Sequence, residues 1–108
     1  MPRKVSRKNL IKKLDKVFSL YIRRRHAKND IAQCYTCGKK DHYKKLQNGH
    51  FMSRKSYSTR WDETNCQVQC IKCNMFEQGM SYVFGLNLNK QFGEGTAEAL
   101  LRKSKEIL

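Results

Sequence analysis

The stretch Cys34-Tyr35-Thr36-Cys37-Gly38, answered 32 residues later by Cys70-Ile71-Lys72-Cys73-Asn74, decides how this chain folds. A two-residue gap lets a knuckle, or the first turn of a helix, present both sulfurs to one tetrahedral ion. Gly38 permits the tight backbone that a knuckle needs. A second pair at a helix N-terminus would also sit at the positive end of the helix dipole, which favours thiolates. Two matched pairs point to zinc where one would be a weak signal; the alternatives are unrelated buried thiols or a redox pair. With Cys34, Cys37, Cys70 and Cys73 all bound, no coordination position stays open, so the ion serves folding. Cys66 is left over and reads as a semi-buried thiol on a strand.

Between the pairs there is little helical periodicity. Short strands are expected near residues 46–51 and 65–69, joined through the polar stretch 52–59. Beyond Cys70 the pattern turns helical, with Ile71, Met75, Tyr82, Leu86 and Phe92 available for packing and Gly79, Gly85 and Gly93 as interruptions. Thr96 can cap a last helix over 97–107, with Leu100, Leu101 and Ile107 inward. On the N-terminal side Leu10, Ile11, Leu14, Val17, Phe18, Tyr21 and Ile22 recur at spacings of three and four. They form one helical stripe, with Ser6 as N-cap and Asn29-Asp30 as a stop. The expected architecture is α+β. Residues 1–30 form a basic amphipathic helix for DNA contact or dimerisation, and residues 31–108 a small zinc-stabilised domain ending in helices. At 108 residues a second independent core is not expected.

Lys and Arg outnumber Asp and Glu by 23 to 9, for a net charge of +14. Eleven of those cations, against one acid, fall in residues 1–28. Self-repulsion on this scale is tolerated when the partner is a polyanion, which points to nucleic acid. No apolar run approaches the roughly 18 residues that span a bilayer, and no signal-peptide pattern follows the cationic start. An odd number of cysteines without an export signal argues against a disulfide framework. A cytoplasmic location and no membrane partner are therefore expected.

Asn48-Gly49-His50-Phe51 lies between the pairs, and the second pair runs on into Asn74 and Glu77. A hairpin carrying His50 and a helix carrying Asn74 and Glu77 on one face would meet at a groove. An imidazole beside an amide oxygen and a carboxylate suits metal-assisted phosphodiester hydrolysis, the His taking a proton from water and the oxygens holding a hard cation. A packed histidine and a helix-terminus Asn are the plainer alternative.

The order CxxC, Gly-His-Phe, Asn65, then Gln69-Cys70-Ile71-Lys72-Cys73-Asn74 resembles the HNH, or ββα-metal, nucleases with a treble-clef zinc site. More narrowly it resembles the lambdoid phage NinG (Rap) recombination proteins, and more distantly the endonuclease VII type of resolvase. The likeness covers about residues 34–93. It implies a DNA endonuclease cutting branched DNA such as Holliday junctions with Mg²⁺ or Mn²⁺. By position it makes His50 the general base, Asn74 a cation ligand and Glu77 a further acid of the site. Asn65 falls near the middle Asn of the HNH name, which fixes the hairpin around the His. Many HNH enzymes carry Asp or His where this chain has Gly49, so the carboxylate must come from elsewhere: Glu77 first, then Glu63 and Asp62.

Arg54, Lys55, Arg60 and Lys72 flank the expected groove and, with Arg23, Arg24 and Arg25, suit phosphate contact rather than base reading. Tyr57 and Trp61 either stack on unpaired bases or complete a small core, the latter being favoured for Trp61. The apolar stripe of the first helix either packs on the zinc domain or pairs with a second copy. A homodimer suits a junction with two opposed strands to cut. Two rival readings remain: a zinc module that binds nucleic acid without cutting it, and an HNH nuclease that nicks ordinary duplexes.

Overall fold

The computed structural model describes residues 6–106; the basic residues before Ser6 and the expected inward Ile107 lie outside them. Helix α1 (Arg7–Arg24) starts where Ser6 was expected to cap it, the Ser6 hydroxyl accepting the Asn9 N–H at 3.2 Å. That contact satisfies one donor the first turn would otherwise leave unpaired. A turn with positive φ at Asn29 and Asp30 leads into strand β1 (Ile31–Gln33), which pairs antiparallel with β2 (Lys40–His42). This small hairpin was not anticipated, because three-residue strands leave no periodicity to read. Between its strands lie Cys34 and Cys37, and Gly38 holds φ +82 as the knuckle closes.

Strands β3 (Gln47–His50) and β4 (Cys66–Gln69) form a second antiparallel pair within the two expected ranges. Its register sets Gln47 against Gln69, Asn48 against Val68, Gly49 against Gln67 and His50 against Cys66. By strand alternation Asn48 and His50 share one face with Cys66 and Val68, while Gly49 shares the other with Gln67 and Gln69. Short helix α2 (Tyr57–Arg60) lies in the connection between β3 and β4. The last elements are α3 (Ser81–Phe92) and α4 (Thr96–Ser104).

The helix expected from Cys70 does not form at once. Lys72–Phe76 make a wide π turn and Gln78–Met80 a tight turn, with positive φ at Gln78, Gly79 and Met80, before α3 begins. The start at Ser81 resets the inward face. Phe84 and Leu88 are fully buried, whereas Tyr82, Leu86 and Phe92, expected to pack, are exposed. Gly85 is not an interruption: it lies inside α3, where a Cβ would stand 3.3 Å from the Phe51 ring. In α4, Leu100 is buried but Leu101 is exposed. Cys66 is fully buried rather than semi-buried.

Two apolar clusters result. One joins Ala32, Leu46 and Val68 to Cys34, Cys70 and Cys73; the other joins Phe84, Leu88 and Leu100, flanked by Tyr35, Phe51 and Met52. Helix α1 packs against both β3 and β4. Its apolar stripe splits. Ile22 is buried and Ile11 and Phe18 are partly covered, while Leu10, Leu14, Val17 and Tyr21 face outward. Among the described residues no helix is long and apolar enough to cross a membrane.

Candidate functional site

The sulfurs of Cys34, Cys37, Cys70 and Cys73 all lie within 4.8 Å of one another, with Cys37 and Cys70 Sγ 3.6 Å apart. Tetrahedral zinc with bonds near 2.3 Å needs sulfurs about 3.8 Å apart, so the cluster fits the ion. Burial opposes ionisation of Cys34, yet the Thr36 hydroxyl and the N–H groups of Cys37, Cys70 and Thr36 draw its thiol down to about 6. Burial pushes Cys73 up to about 12. Four sulfurs this close cannot all be charged without a cation among them.

Beside this centre a cleft of about 590 Å³ opens between α1, β3 and the wide turn, ample for a phosphodiester. His50 and Asn74, paired by the sequence reading, both line it, as do Arg23 and Arg54. His50 closes β3, and its Nε2 lies 2.9 Å from the Arg60 carbonyl oxygen. A carbonyl only accepts, so Nε2 carries the proton and Nδ1 keeps the lone pair in the neutral ring. Burial holds His50 below the ordinary histidine range, with the Arg60 carbonyl pulling the other way. Asn74 Nδ2 donates to Gln47 Oε1 at 2.7 Å, which leaves Oδ1 as its unused group. Asn48 also belongs to the cleft wall, but its Oδ1 is buried and has no donor among the described residues.

Asn65 is fully buried and pins the connection that carries the Arg60 carbonyl. Its Nδ2 donates to the Met52 and Thr59 carbonyls at 3.1 and 3.0 Å, and its Oδ1 accepts the Met52 N–H at 2.8 Å.

Other expected site residues are placed elsewhere. Glu77 is exposed and outside the cleft lining, because the π turn breaks the three-residue spacing that would have put it beside Asn74. Glu63 bonds the Tyr21 hydroxyl; Asp62 pairs with Lys103 at 2.5 Å and accepts the Thr64 N–H. Neither carboxylate lines the cleft. Arg25 is spent inside the protein, on the Glu63 and Cys66 carbonyls and Gln67 Oε1 at 2.7–2.9 Å, and is not available to phosphate. Arg60 is committed to Asp15. Trp61 stacks on Tyr57 at 5.9 Å and donates Nε1 to Asp15, so it is a packed residue, as favoured. Lys55 and Lys72 are exposed, and Arg24, also exposed, lies over the Tyr43 ring.

Sequence reasoning missed Asp15, which lines the cleft from α1. Its signal was present: it is the single acid among the first 28 residues.

Gly49 has a physical cause. A Cβ there would lie 1.9 Å from Gln69 Oε1, and Gln69 is fully buried with Nε2 bonded to Thr36 Oγ1 and the Gly79 carbonyl. Its side chain cannot step aside without losing those bonds. Gly49→Ala should therefore lower stability by about 1–3 kcal/mol, and Gly49→Asp by at least as much without gaining a cleft carboxylate. Urea midpoints of the zinc-loaded variants check this; wild-type midpoints would refute it.

The family model described as bacteriophage lambda NinG protein matches residues 3–107. No curated protein and no solved structure matches the chain.

Proposed function

The chain belongs to the bacteriophage lambda NinG family, and from that premise we propose that it is a metal-dependent DNA endonuclease of the HNH type, a phage recombination nuclease that cuts branched DNA. On this reading the knuckle, the β3–β4 hairpin and the turn bearing Asn74 are a treble-clef arrangement around structural zinc. One observation carries the reading: His50, its tautomer fixed by a main-chain carbonyl, shares a phosphate-sized cleft with Asn74 and two arginines.

In the proposed reaction exposed Arg54 positions the phosphodiester, while Arg23, whose Nε and Nη1 donate to Ser19 and the Tyr43 carbonyl, lends its charge to the cleft wall. His50 Nδ1 takes a proton from a water molecule, whose oxygen forms the new bond to phosphorus. The bond to the 3'-oxygen breaks, and that oxygen is protonated from solvent. Asn74 Oδ1 is the cleft oxygen that would help hold a hard divalent cation, Mg²⁺ or Mn²⁺. Such a cation, when bound, supplies charge neutralisation at the phosphate and the leaving oxygen. This donor is a neutral amide, so the protein alone would hold such a cation weakly.

The outward residues Leu10, Leu14, Val17 and Tyr21 recur at four, three and four, which suits pairing with α1 of a second copy. A dimer would present two clefts to opposed strands. Glu77 lying outside the cleft favours the rival reading, a zinc module that binds DNA without cutting it.

One comparison separates these readings. Zinc-loaded protein with Mg²⁺ is given a labelled four-way junction and a linear duplex of the same sequence, with its mass read at sedimentation equilibrium. Preferential junction cutting by a dimer is expected. Equal cutting of both substrates points to a duplex-nicking enzyme, and binding without cutting to the non-catalytic module.

A further inference from the structure

The Arg60 carbonyl that sets the His50 tautomer belongs to a residue whose side chain is itself held. Arg60 Nε donates to Asp15 Oδ1 at 3.0 Å and Nη2 to Asp15 Oδ2 at 2.5 Å, a fork on a carboxylate with both partners largely covered. The third nitrogen, Nη1, donates to the Arg54 carbonyl at 2.8 Å. Trp61 Nε1 adds another donor to Asp15 Oδ1 at 3.0 Å. Two consecutive residues of the β3–β4 connection are thus fastened to one point on α1, and that point lines the cleft with His50.

Two roles are open to a carboxylate in this cleft, cation ligand or anchor. Arg60 and Trp61 together donate to both oxygens of Asp15, and the guanidinium already neutralises its charge, which favours the anchor role. A bidentate arginine pair is also a directional contact, which fixes where the guanidinium sits as well as neutralising it. The Cys66 thiol, cross-strand from His50, reaches the same Arg60 carbonyl at 3.5 Å. That oxygen therefore meets both strands of the hairpin, and its placement orients the imidazole.

We propose that Asp15 is the positioning residue for His50. By gripping Arg60 it keeps the Arg60 carbonyl against Nε2, so that Nδ1 is presented to the cleft as the base. Helix α1 is then part of the catalytic unit and not solely a DNA or dimer contact. The catalytic half of this statement rests on the nuclease reading above; the tautomer half does not.

The experiment uses full-length, zinc-loaded, ¹⁵N-labelled protein at a pH where His50 is neutral. Long-range ¹H–¹⁵N spectra report which ring nitrogen carries the proton, with His50→Ala assigning the signals. Wild type should show the Nε2–H form. Asp15→Asn, nearly isosteric, replaces one acceptor oxygen with an NH₂ that faces the guanidinium. It should shift His50 towards a mixture of tautomers while zinc content and the backbone spectrum hold. Junction cleavage by this variant should lose roughly 10- to 100-fold in kcat with KM within about twofold, the pattern of a displaced base. Asp15→Glu should restore part of both readouts. Trp61→Phe, which removes one fastening and keeps the Arg60 fork, should move both readouts in the same direction as Asp15→Asn but by less. Unchanged nitrogen shifts in Asp15→Asn, whatever its rate, overturn the proposal, as does a shifted tautomer with wild-type kcat. If wild type cuts no DNA but Asp15→Asn still moves the His50 nitrogens, the positioning stands and the nuclease reading falls.

Discussion

Stripping the metal from this protein is expected to unfold it. Three of the six buried residues in the first apolar cluster belong to the four-cysteine cluster that fits zinc, so a bound ion and that core would be one object. The other cluster has three buried members. Full burial of a large apolar side chain contributes about 1.5–3 kcal/mol, against an entropy cost that grows with every ordered residue. Structural zinc contributes about 10–16 kcal/mol of apparent binding energy in small zinc-finger peptides, enough to decide whether a domain this size folds. Without it, burial holds Cys73 protonated while Cys34 ionises readily, and the cluster has nothing to bind it together. Circular dichroism after exhaustive chelation should show loss of the cooperative melt, and Cys70→Ser should behave alike. A sharp transition retained in protein shown by mass spectrometry to hold no zinc would remove the basis of the fold.

How much of this was legible beforehand follows from what each feature depends on. The cysteine cluster was readable because a metal imposes spacing on sequence, and Cys34, Cys37, Cys70 and Cys73 do converge where one ion could be held. The β3–β4 pair was readable because its ends are marked by the turn-forming stretch on one side and the second cysteine pair on the other. Helix α1 was found from its apolar spacing, but which apolar residues face inward was not. That choice depends on a partner surface, and the inner face carries Asp15 and Ser19 among Ile11, Phe18 and Ile22. The region after Cys70 misled because composition does not encode the left-handed residues Gln78 and Met80, which delay α3 and leave Glu77 outside the cleft. Charge alone could not tell solvent-facing Arg54 from Arg25 and Arg60, whose partners lie about forty residues away in sequence. Asp15 escaped for the same reason, its role being set by residues 60 and 61.

Replacing His50 with Ala should slow cutting by roughly 10²–10⁴-fold while sparing binding. The imidazole is the group on the cleft wall suited to accept a proton near neutral pH, and general-base catalysis of this kind is worth about 10²–10⁴-fold. Arg23 and Arg54, which line the cleft and on the proposed reading face the phosphate, are left alone by the substitution. The rate should also show its origin in pH. A base must be neutral to act, and burial lowers the His50 pKa, so the active form persists on the acid side of the ordinary histidine value near 6.5. The wild-type rate should hold its plateau as pH falls through that value, decline only below it, and lose this limb in His50→Ala.

The most direct measurement is single-turnover cleavage of a labelled four-way junction by wild type and His50→Ala, both zinc-replete and supplied with Mg²⁺, with junction affinity measured alongside. Cutting by wild type, a loss of roughly 10²–10⁴-fold in the variant and matching affinities are expected. Equal cutting by the two proteins, or binding by both with cutting by neither, would contradict the assignment of this cleft as a nuclease site.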